Sequence, residues 1–210
     1  NALLSNISCE VRISSARVLG QIGDPRAINS LMQAITNNNL AELVRSFVRK
    51  EAVIALGKIL TKPENQETIN SDKERIINSL IETLGGEYTY SIPAKDVLVS
   101  FGQLAVGAFE NALLNNESVR IRFLSATALG QIGDSRSVDA LTQALFNDDS
   151  QDVRIEAVIA LGRIGGPRAI SSLMNKYNNQ DNYPDAAIII TALGDAGDLQ
   201  TAEALLSSFS

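Results

Sequence analysis

Guanidinium and carboxylate groups recur along this chain at fixed intervals. Arginine stands at Arg12, Arg49, Arg122 and Arg154, aspartate at Asp24, Asp134 and Asp198, and arginine again at Arg26, Arg136 and Arg168. Planar guanidinium and carboxylate groups form paired hydrogen bonds, so the chemistry on offer is ion pairing and anion capture rather than proton transfer. The residue types behind most hydrolytic and metal chemistry are scarce. No histidine is present, which removes the usual base near neutral pH, imidazole triads and histidine metal ligands. Cys9 is the single cysteine, so neither a cysteine-rich zinc site nor an internal disulfide can form. The adjacent carboxylates Asp148 and Asp149 fall in a polar turn, 147–152, and read as solvated helix caps rather than an acid/base pair. Gly20-Gln21-Ile22-Gly23 has no strand before it to make a dinucleotide fingerprint, and no phosphate loop occurs. An autonomous hydrolase or kinase is therefore not expected. Tyr88 and Tyr90, one residue apart beside Gly85-Gly86, are either anchors for a partner or filling between helices. Tyr177 and Tyr183 flank an Asn-rich stretch, 178–182, that reads as a polar loop.

These residues are positioned by a repeat. With Val11, Val48, Pro93, Ile121, Val153 and Asp185 as offset zero, the first arginines share offset one, the aspartates offset thirteen and the second arginines offset fifteen. Gly20, Gly57, Gly102, Gly130, Gly162 and Gly194 share offset nine. Small or apolar residues at offsets zero, four, seven, eight and eleven, such as Val153, Ala157, Ala160, Leu161 and Ile164, form one face of a helix. Such a helix cannot bury its stripe alone. A second helix follows at once: Asp24-Pro25 supplies an N-cap and a proline at the first helical position, and Ala27, Ile28, Leu31, Met32 and Ile35 make its inward stripe. Glycine within a helix costs about 1 kcal/mol relative to alanine, so the offset-nine glycines need a reason, and close approach of a partner helix or the next repeat supplies one. Gly23, Gly133, Gly165 and Gly197, at offset twelve, suit the left-handed residue that ends a helix. The remaining glycines, Gly85, Gly86, Gly107 and Gly166, are expected in or near turns.

Recurrence with the architecture favours a structural reading of the charges. The offset-one arginines are expected to hold an acidic group or carbonyl of the adjacent repeat and so fix register; the alternative is a basic stripe that binds an anion. Arg26, Arg136 and Arg168 are expected in salt bridges within the stack, the alternative being a partner's carboxylates. Copy two carries a long connection from Thr61 to Asp72. Copy three follows an irregular stretch, 85–92, begins with Pro93, and is expected to have its second helix over 106–114. Such segments either read partners or are tolerated insertions.

Spacing between copies falls in the range of two-helix solenoid repeats. The segments Val153-Arg154 through Ala160-Leu161-Gly162-Arg163-Ile164-Gly165, with Pro167-Arg168-Ala169-Ile170 after them, resemble the HEAT-like repeats named after the phycobilisome lyases. The resemblance implies an all-α, right-handed α-solenoid of about six two-helix repeats plus a partial one at the N-terminus. On this reading residues 1–210 form a single stack. Ala2-Leu3-Leu4 reads as the tail of a second helix, and with no initial Met the chain is expected to be part of a longer protein. At the far end Leu205, Leu206 and Phe209 keep an apolar stripe, while Asp185 and Ala186 replace the Val-Arg start.

A net charge of −6 and the lack of a basic run argue against phosphate-driven binding of nucleic acid. No apolar stretch is long enough to span a bilayer, no signal peptide is recognisable, and the lone cysteine fits a reducing cytosol. The expected function is a protein-binding scaffold that uses the concave face lined by second helices. Outward positions there are mostly small and uncharged: Asn29, Ser30 and Gln33; Asp139, Thr142 and Gln143; Ser171, Ser172 and Asn175. Asn29, Gln33, Tyr88, Tyr90, Asp139, Gln143 and Asn175 are the candidate partner-binding residues, with no catalytic or metal-ligating residue and no cofactor. The family resemblance implies an alternative, a bilin lyase subunit that binds a linear tetrapyrrole and a phycobiliprotein. The partner is then that phycobiliprotein or a second HEAT-repeat subunit. A sensor or regulatory domain of a multidomain protein is a further alternative.

Overall fold

Apolar positions at helical spacing, broken by left-handed glycines and Asp-Pro or Asp-Ser starts, give a chain made of helices in pairs. The computed structural model describes residues 8–37, 42–65, 72–178 and 186–197, leaving aside the side chains of 42 and 43. Ala2 to Leu4, Gln66 to Ser71, Asn179 to Asp185, Asp198, Leu205, Leu206 and Phe209 lie outside the described residues. Eleven α-helices and no strand occur among the described residues. First helices are α1 (Cys9–Ile22), α3 (Glu42–Leu60), α5 (Tyr88–Ser100), α7 (Val119–Ile132), α9 (Gln151–Ile164) and α11 (Ala186–Ala196). Second helices are α2 (Ile28–Thr36), α4 (Lys73–Thr83), α6 (Gln103–Asn115), α8 (Val138–Asn147) and α10 (Gly166–Asn178). The fold is thus the expected all-α array of two-helix repeats.

The chain divides into two compact units, Asn1–Phe101 and Gly102–Ser210. In the first, α1, α3 and α5 pack in succession, α2 packs on α4, and α2 and α4 lean on the first helix that follows each of them. In the second, α7, α9 and α11 form one row and α6, α8 and α10 the other, with each second helix again against the next first helix. The core is mostly Ala, Leu, Ile and Val, with Phe109 its largest fully buried side chain.

Glycine at offset nine explains how closely the first helices approach. A Cβ placed on Gly20 would lie 2.7 Å from the Cα of Ala55, on Gly130 2.8 Å from that of Ala160, and on Gly162 2.9 Å from that of Ala192. Each of those alanines is the offset-seven residue of the following copy. At Gly57 the intruder is a valine, Val97, whose Cγ2 would be 2.6 Å from such a Cβ. Close approach to the next repeat is therefore the reason for four of the six glycines. Gly194, within α11, has nothing among the described residues within 4 Å of its missing side chain.

Copy three breaks the rule. Its first helix does not begin at Pro93 but at Tyr88, so residues 88–92 are helical and Pro93 sits inside α5, unable to donate to the carbonyl four residues back. The helix ends at Ser100, and Gly102 falls outside it with φ 55° and ψ −128°, a conformation open to glycine, with nothing within 4 Å. The second helix, α6, begins at Gln103 and ends at Asn115, longer at both ends than 106–114. Gly107 lies within α6 rather than in a turn, and Gly86 sits where Tyr90 Oη would be 2.1 Å from a Cβ.

The offset-twelve glycines Gly23, Gly133, Gly165 and Gly197 all have positive φ. Asp24 and Asp134 cap the turns that follow, accepting from the backbone N–H of Arg26 at 2.9 Å and Arg136 at 3.0 Å. Part of the connection in copy two is structural: the buried Asn65 donates to the carbonyls of Gly23 and Ile59, both at 2.9 Å, and Lys62 donates to that of Ile22 at 3.0 Å.

Alanine at Gly130 gains about 1 kcal/mol of helix propensity but forces the backbone of Ala160 away, and overpacking of this kind costs about 1–3 kcal/mol. Gly130→Ala is expected to lower the unfolding free energy by up to about 2 kcal/mol, whereas Gly194→Ala, with no described neighbour within 4 Å, raises it by up to about 1 kcal/mol. Urea denaturation followed by circular dichroism reads both, and shifts of the same sign would contradict this account.

Candidate functional site

Second helices carry the exposed polar residues, and the repeat places them in register. Counting from each copy's start, Asn29 and Asp139 share offset eighteen, as Gln33, Gln143 and Asn175 share offset twenty-two. All five are exposed. In the second unit α6, α8 and α10 lie side by side, so Gln143 and Asn175 stand on neighbouring helices. Asn115, also at offset twenty-two, adds a third carboxamide on α6, exposed and donating to Asn111 Oδ1 at 2.9 Å. Sequence reasoning missed it because the second helix of copy three was expected to stop one residue earlier. A carboxamide both donates and accepts, so this row can answer either polar group of a peptide backbone.

Cross-helix bonds hold this layer. Arg75 donates to Asn29 Oδ1 at 2.7 Å between α4 and α2. At the same offset in the other unit, Arg168 on α10 forms an ion pair with Asp139 on α8. Thr142 donates to Ser172 Oγ at 2.8 Å alongside. A shallow groove of about 320 Å³ follows these contacts, lined by residues that include Thr142, Pro167 and Ser171. Arg168 differs from Arg26 and Arg136 for a local reason: Gly166 takes the capping position, so no aspartate lies two residues before it and it reaches the preceding repeat instead. Arg26 and Arg136 fold back on Asp24 and Asp134, making the expected salt bridges inside the array.

Charge is distributed unevenly around the layer. Hydrogen bonds from the Arg26 side chain and backbone hold the Asp24 carboxyl down at about 2, and Arg136 does the same for Asp134, also at about 2. Glu110 on α6 is half-buried, and that burial pushes its carboxyl above the usual carboxylate range; Arg136 opposes the rise, while Asp134 and Asp139 add to it. Lys176 on α10 is buried with its ammonium 5.0 Å from the centre of the Phe146 ring. Burial, then the nearby Arg154, pulls it below the usual lysine value. Nothing in the repeat pattern marks Lys176, because the stripe predicts an apolar residue beside Leu173 rather than a sequestered cation.

Two of the offset-one arginines, Arg122 and Arg154, hold the carboxylates and carbonyls expected of a ladder, whereas Arg49 donates to the Tyr90 hydroxyl instead. Arg122 donates through Nε and Nη2 to both oxygens of Asp148, at 2.8 and 3.0 Å, contacts Asp149, and donates through Nη1 to the carbonyls of Asn116 and Glu117 at 3.0 and 3.1 Å. Arg154 repeats the last contact on the carbonyls of Asp148 and Asp149, at 2.7 and 3.1 Å. Asp148 is consequently a buried ion-pair member and not a solvated cap, while Asp149 remains exposed. Burial alone would push the Asp148 carboxyl up; the donors from Arg122 and from the Ser150 backbone outweigh it and hold the group below its ordinary value. Breaking such a pair by removing one member costs about 3–5 kcal/mol.

The two tyrosines separate. Tyr90 is buried, with the Arg49 guanidinium 5.4 Å from its ring centre and Arg49 Nη1 donating to its hydroxyl at 3.3 Å. Its position as a partner anchor is corrected accordingly: helix α5 starts early enough to turn Tyr90 into the space left by Gly86. Tyr88, at the first turn of the same helix, is 72% exposed. Tyr183 lies outside the described residues. Among the described residues no group of three or more His, Cys, Asp or Glu side chains could hold a metal ion, and no helix is long and apolar enough to cross a membrane.

Comparison with known proteins adds to this geometry. A family profile described as HEAT repeats matches residues 1–85 and 107–194. The bilin biosynthesis protein PecF of Nostoc sp. (strain PCC 7120 / SAG 25.82 / UTEX 2576) is 29% identical over 115 residues, which cover 54% of this chain and 64% of that protein, so the match spans less than two thirds of the relative's length. The crystal structure of an engineered protein is similar at a TM-score of 0.50 and 21% identity, covering 98% of this chain and 59% of the other. Human deoxyhypusine hydroxylase in complex with glycerol is similar at a TM-score of 0.48 and 21% identity, over 91% of this chain and 81% of that one.

Asp24 and Asp134 have folded-state values of about 2, below the unfolded value of 3.8, so their stabilisation is complete above about pH 4 and is lost as pH falls towards 2. Asparagine at both positions keeps a capping oxygen but no charge. The double variant D24N/D134N is expected to lose less stability between about pH 4 and pH 2 than the parent chain. Thermal melts across that interval measure it, and parallel slopes would rule the linkage out.

Proposed function

This chain belongs to the HEAT repeat family, and on that premise we propose that it is an interaction scaffold that takes hold of another protein along its layer of second helices. One observation carries the reading: exposed carboxamides at a single repeat offset, Asn115, Gln143 and Asn175, on three neighbouring helices. Adjacent packed helices are about 8–10 Å apart, roughly three residues of an extended chain at ~3.3 Å each. A row so spaced suits a polypeptide segment laid across the helices, with one carboxamide meeting its backbone every third residue. The bonds from Arg168 to Asp139 and from Thr142 to Ser172 hold α8 and α10 in fixed register, which lowers the ordering cost of binding. The groups on this face are mostly neutral, so recognition depends on hydrogen bonds and shape more than on charge steering.

A second reading rests on the similarity to PecF. Here the chain handles bilin chemistry, holding a linear tetrapyrrole and the phycobiliprotein that carries it. No residue of the described surface is assigned to the pigment, and the thiol that bonds to it belongs to the client protein, so the chain's own role would be support of the two.

Affinity capture from the native cytosol, with mass spectrometry, is expected to recover a specific protein partner, and the double variant Q143R/N175R to lose at least about tenfold of that recovery without a change in thermal stability, since both side chains are exposed. Recovery unchanged by the double variant would remove the second-helix layer from the interaction. For the pigment reading, titration with a linear tetrapyrrole, with and without a phycobiliprotein, is expected to shift the visible absorbance of the bilin. A spectrum identical to that of free bilin in both mixtures would dismiss it.

A further inference from the structure

The net charge of −6 is not spread evenly along the chain. Residues 1–101 hold eleven Lys and Arg and eleven Asp and Glu, whereas residues 102–210 hold seven against thirteen and so carry all of it. On the second-helix layer of that unit the acidic groups differ in how they are answered. Asp134 accepts from Arg136 Nε at 3.0 and 3.1 Å, and Asp139 pairs with Arg168. Glu110 on α6 lies within electrostatic reach of Arg136, Asp134 and Asp139, which places it at the seam between α6 and α8. Among the described residues its side chain has neither an ion pair nor a hydrogen bond. The carboxyls reflect the difference: Asp134, held by Arg136, falls to about 2, while burial foremost, against the pull of Arg136, raises Glu110. The seam also has room. Gly107, one turn before Glu110 on the same side of α6, is exposed and has nothing among the described residues within 4 Å of a Cβ.

We propose that Glu110 selects the partner by receiving a lysine or arginine side chain of the polypeptide segment laid across the second helices. This inference rests on the reading of that layer as the docking face. A cation reaching over Gly107 meets a half-buried carboxylate, which water screens less than an exposed one, and offsets the cost of keeping that charge partly out of water without a counter-ion. Arg136 does not fill this role, because its Nε and Nη2 are taken up by Asp134. The excess of acid over residues 102–210 favours the approach of a basic segment over an acidic one. The neutral carboxamides of Gln143 and Asn175 then take the backbone of the segment, and Glu110 supplies the contact that distinguishes one sequence from another.

Selection from random phage-displayed peptides of roughly ten residues, long enough to cross three helices, on the immobilised 210-residue chain tests it. Peptides enriched on the wild type but not on Q143R/N175R are expected to share a lysine or arginine at one position. The same selection on Glu110→Lys is expected to replace it with aspartate or glutamate. Glu110→Gln, which keeps the shape of the side chain, is expected to weaken a selected synthetic peptide by at least about tenfold. Peptides that depend on Gln143 and Asn175 but share no cation, or that bind Glu110→Gln as tightly as the wild type, would overturn the role of Glu110 and leave the docking layer standing. If no peptide depends on Gln143 and Asn175, the layer and the role of Glu110 both fall.

Discussion

The alanine backbone of one first helix rests where the side chain of a glycine in the preceding first helix would have been, and the array depends on that approach. Without a Cβ at Gly20, Gly130 and Gly162, the Cα atoms of Ala55, Ala160 and Ala192 enter to distances no side chain tolerates. Close helices have little room for large residues, in keeping with a core made mostly of alanine, leucine, isoleucine and valine and an aromatic content of only 5%. Each glycine sacrifices about 1 kcal/mol of helix propensity. That loss is offset by apolar area removed from water along the whole helix pair, at roughly 25 cal/mol per Å².

Charged residues then fix what the apolar contact leaves free. Sliding one helix past another changes apolar burial gradually, but a guanidinium held by two carboxylate oxygens and two carbonyls has a single register. Arg122 does this where α7 meets the turn before α9, and the Asp148 side chain is buried there because donors from Arg122 and from the Ser150 backbone replace water. In the second-helix layer the same division holds. The inward stripe of α8 and α10 sets their packing, and the exposed Asp139 to Arg168 ion pair bridges them at the surface. The exposed carboxamides keep their spacing as a by-product of that rigidity, which links stability to the proposed recognition of a polypeptide.

Copy three shows what the pattern cannot express. Pro93 reads as a start because proline is favoured in a first turn, yet five helical residues precede it. The reason is packing: Tyr90 must be brought over Gly86 to meet the Arg49 guanidinium, and only a helix already formed at Tyr88 aims it there. With the helix displaced towards the N-terminus, Gly102 leaves it and takes a positive φ just before α6. α6 is longer at both ends than its pattern implies, and the exposed Asn115 is its last residue.

Periodicity alone determined the helical class, the pairing of helices, the left-handed glycines, the aspartate caps and the polar side of α2, α8 and α10, because each follows from local backbone preference or from a repeat of 3.6. Tertiary structure decided the rest. The intruder at each glycine, the burial of Asp148 against the reading of a solvated cap, the sequestered Lys176, and the separation of buried Tyr90 from exposed Tyr88 are contacts between residues tens of positions apart. A local pattern records which side of a helix is apolar; it holds no term for how near a neighbour comes, and here that distance determines which side chains are left in water.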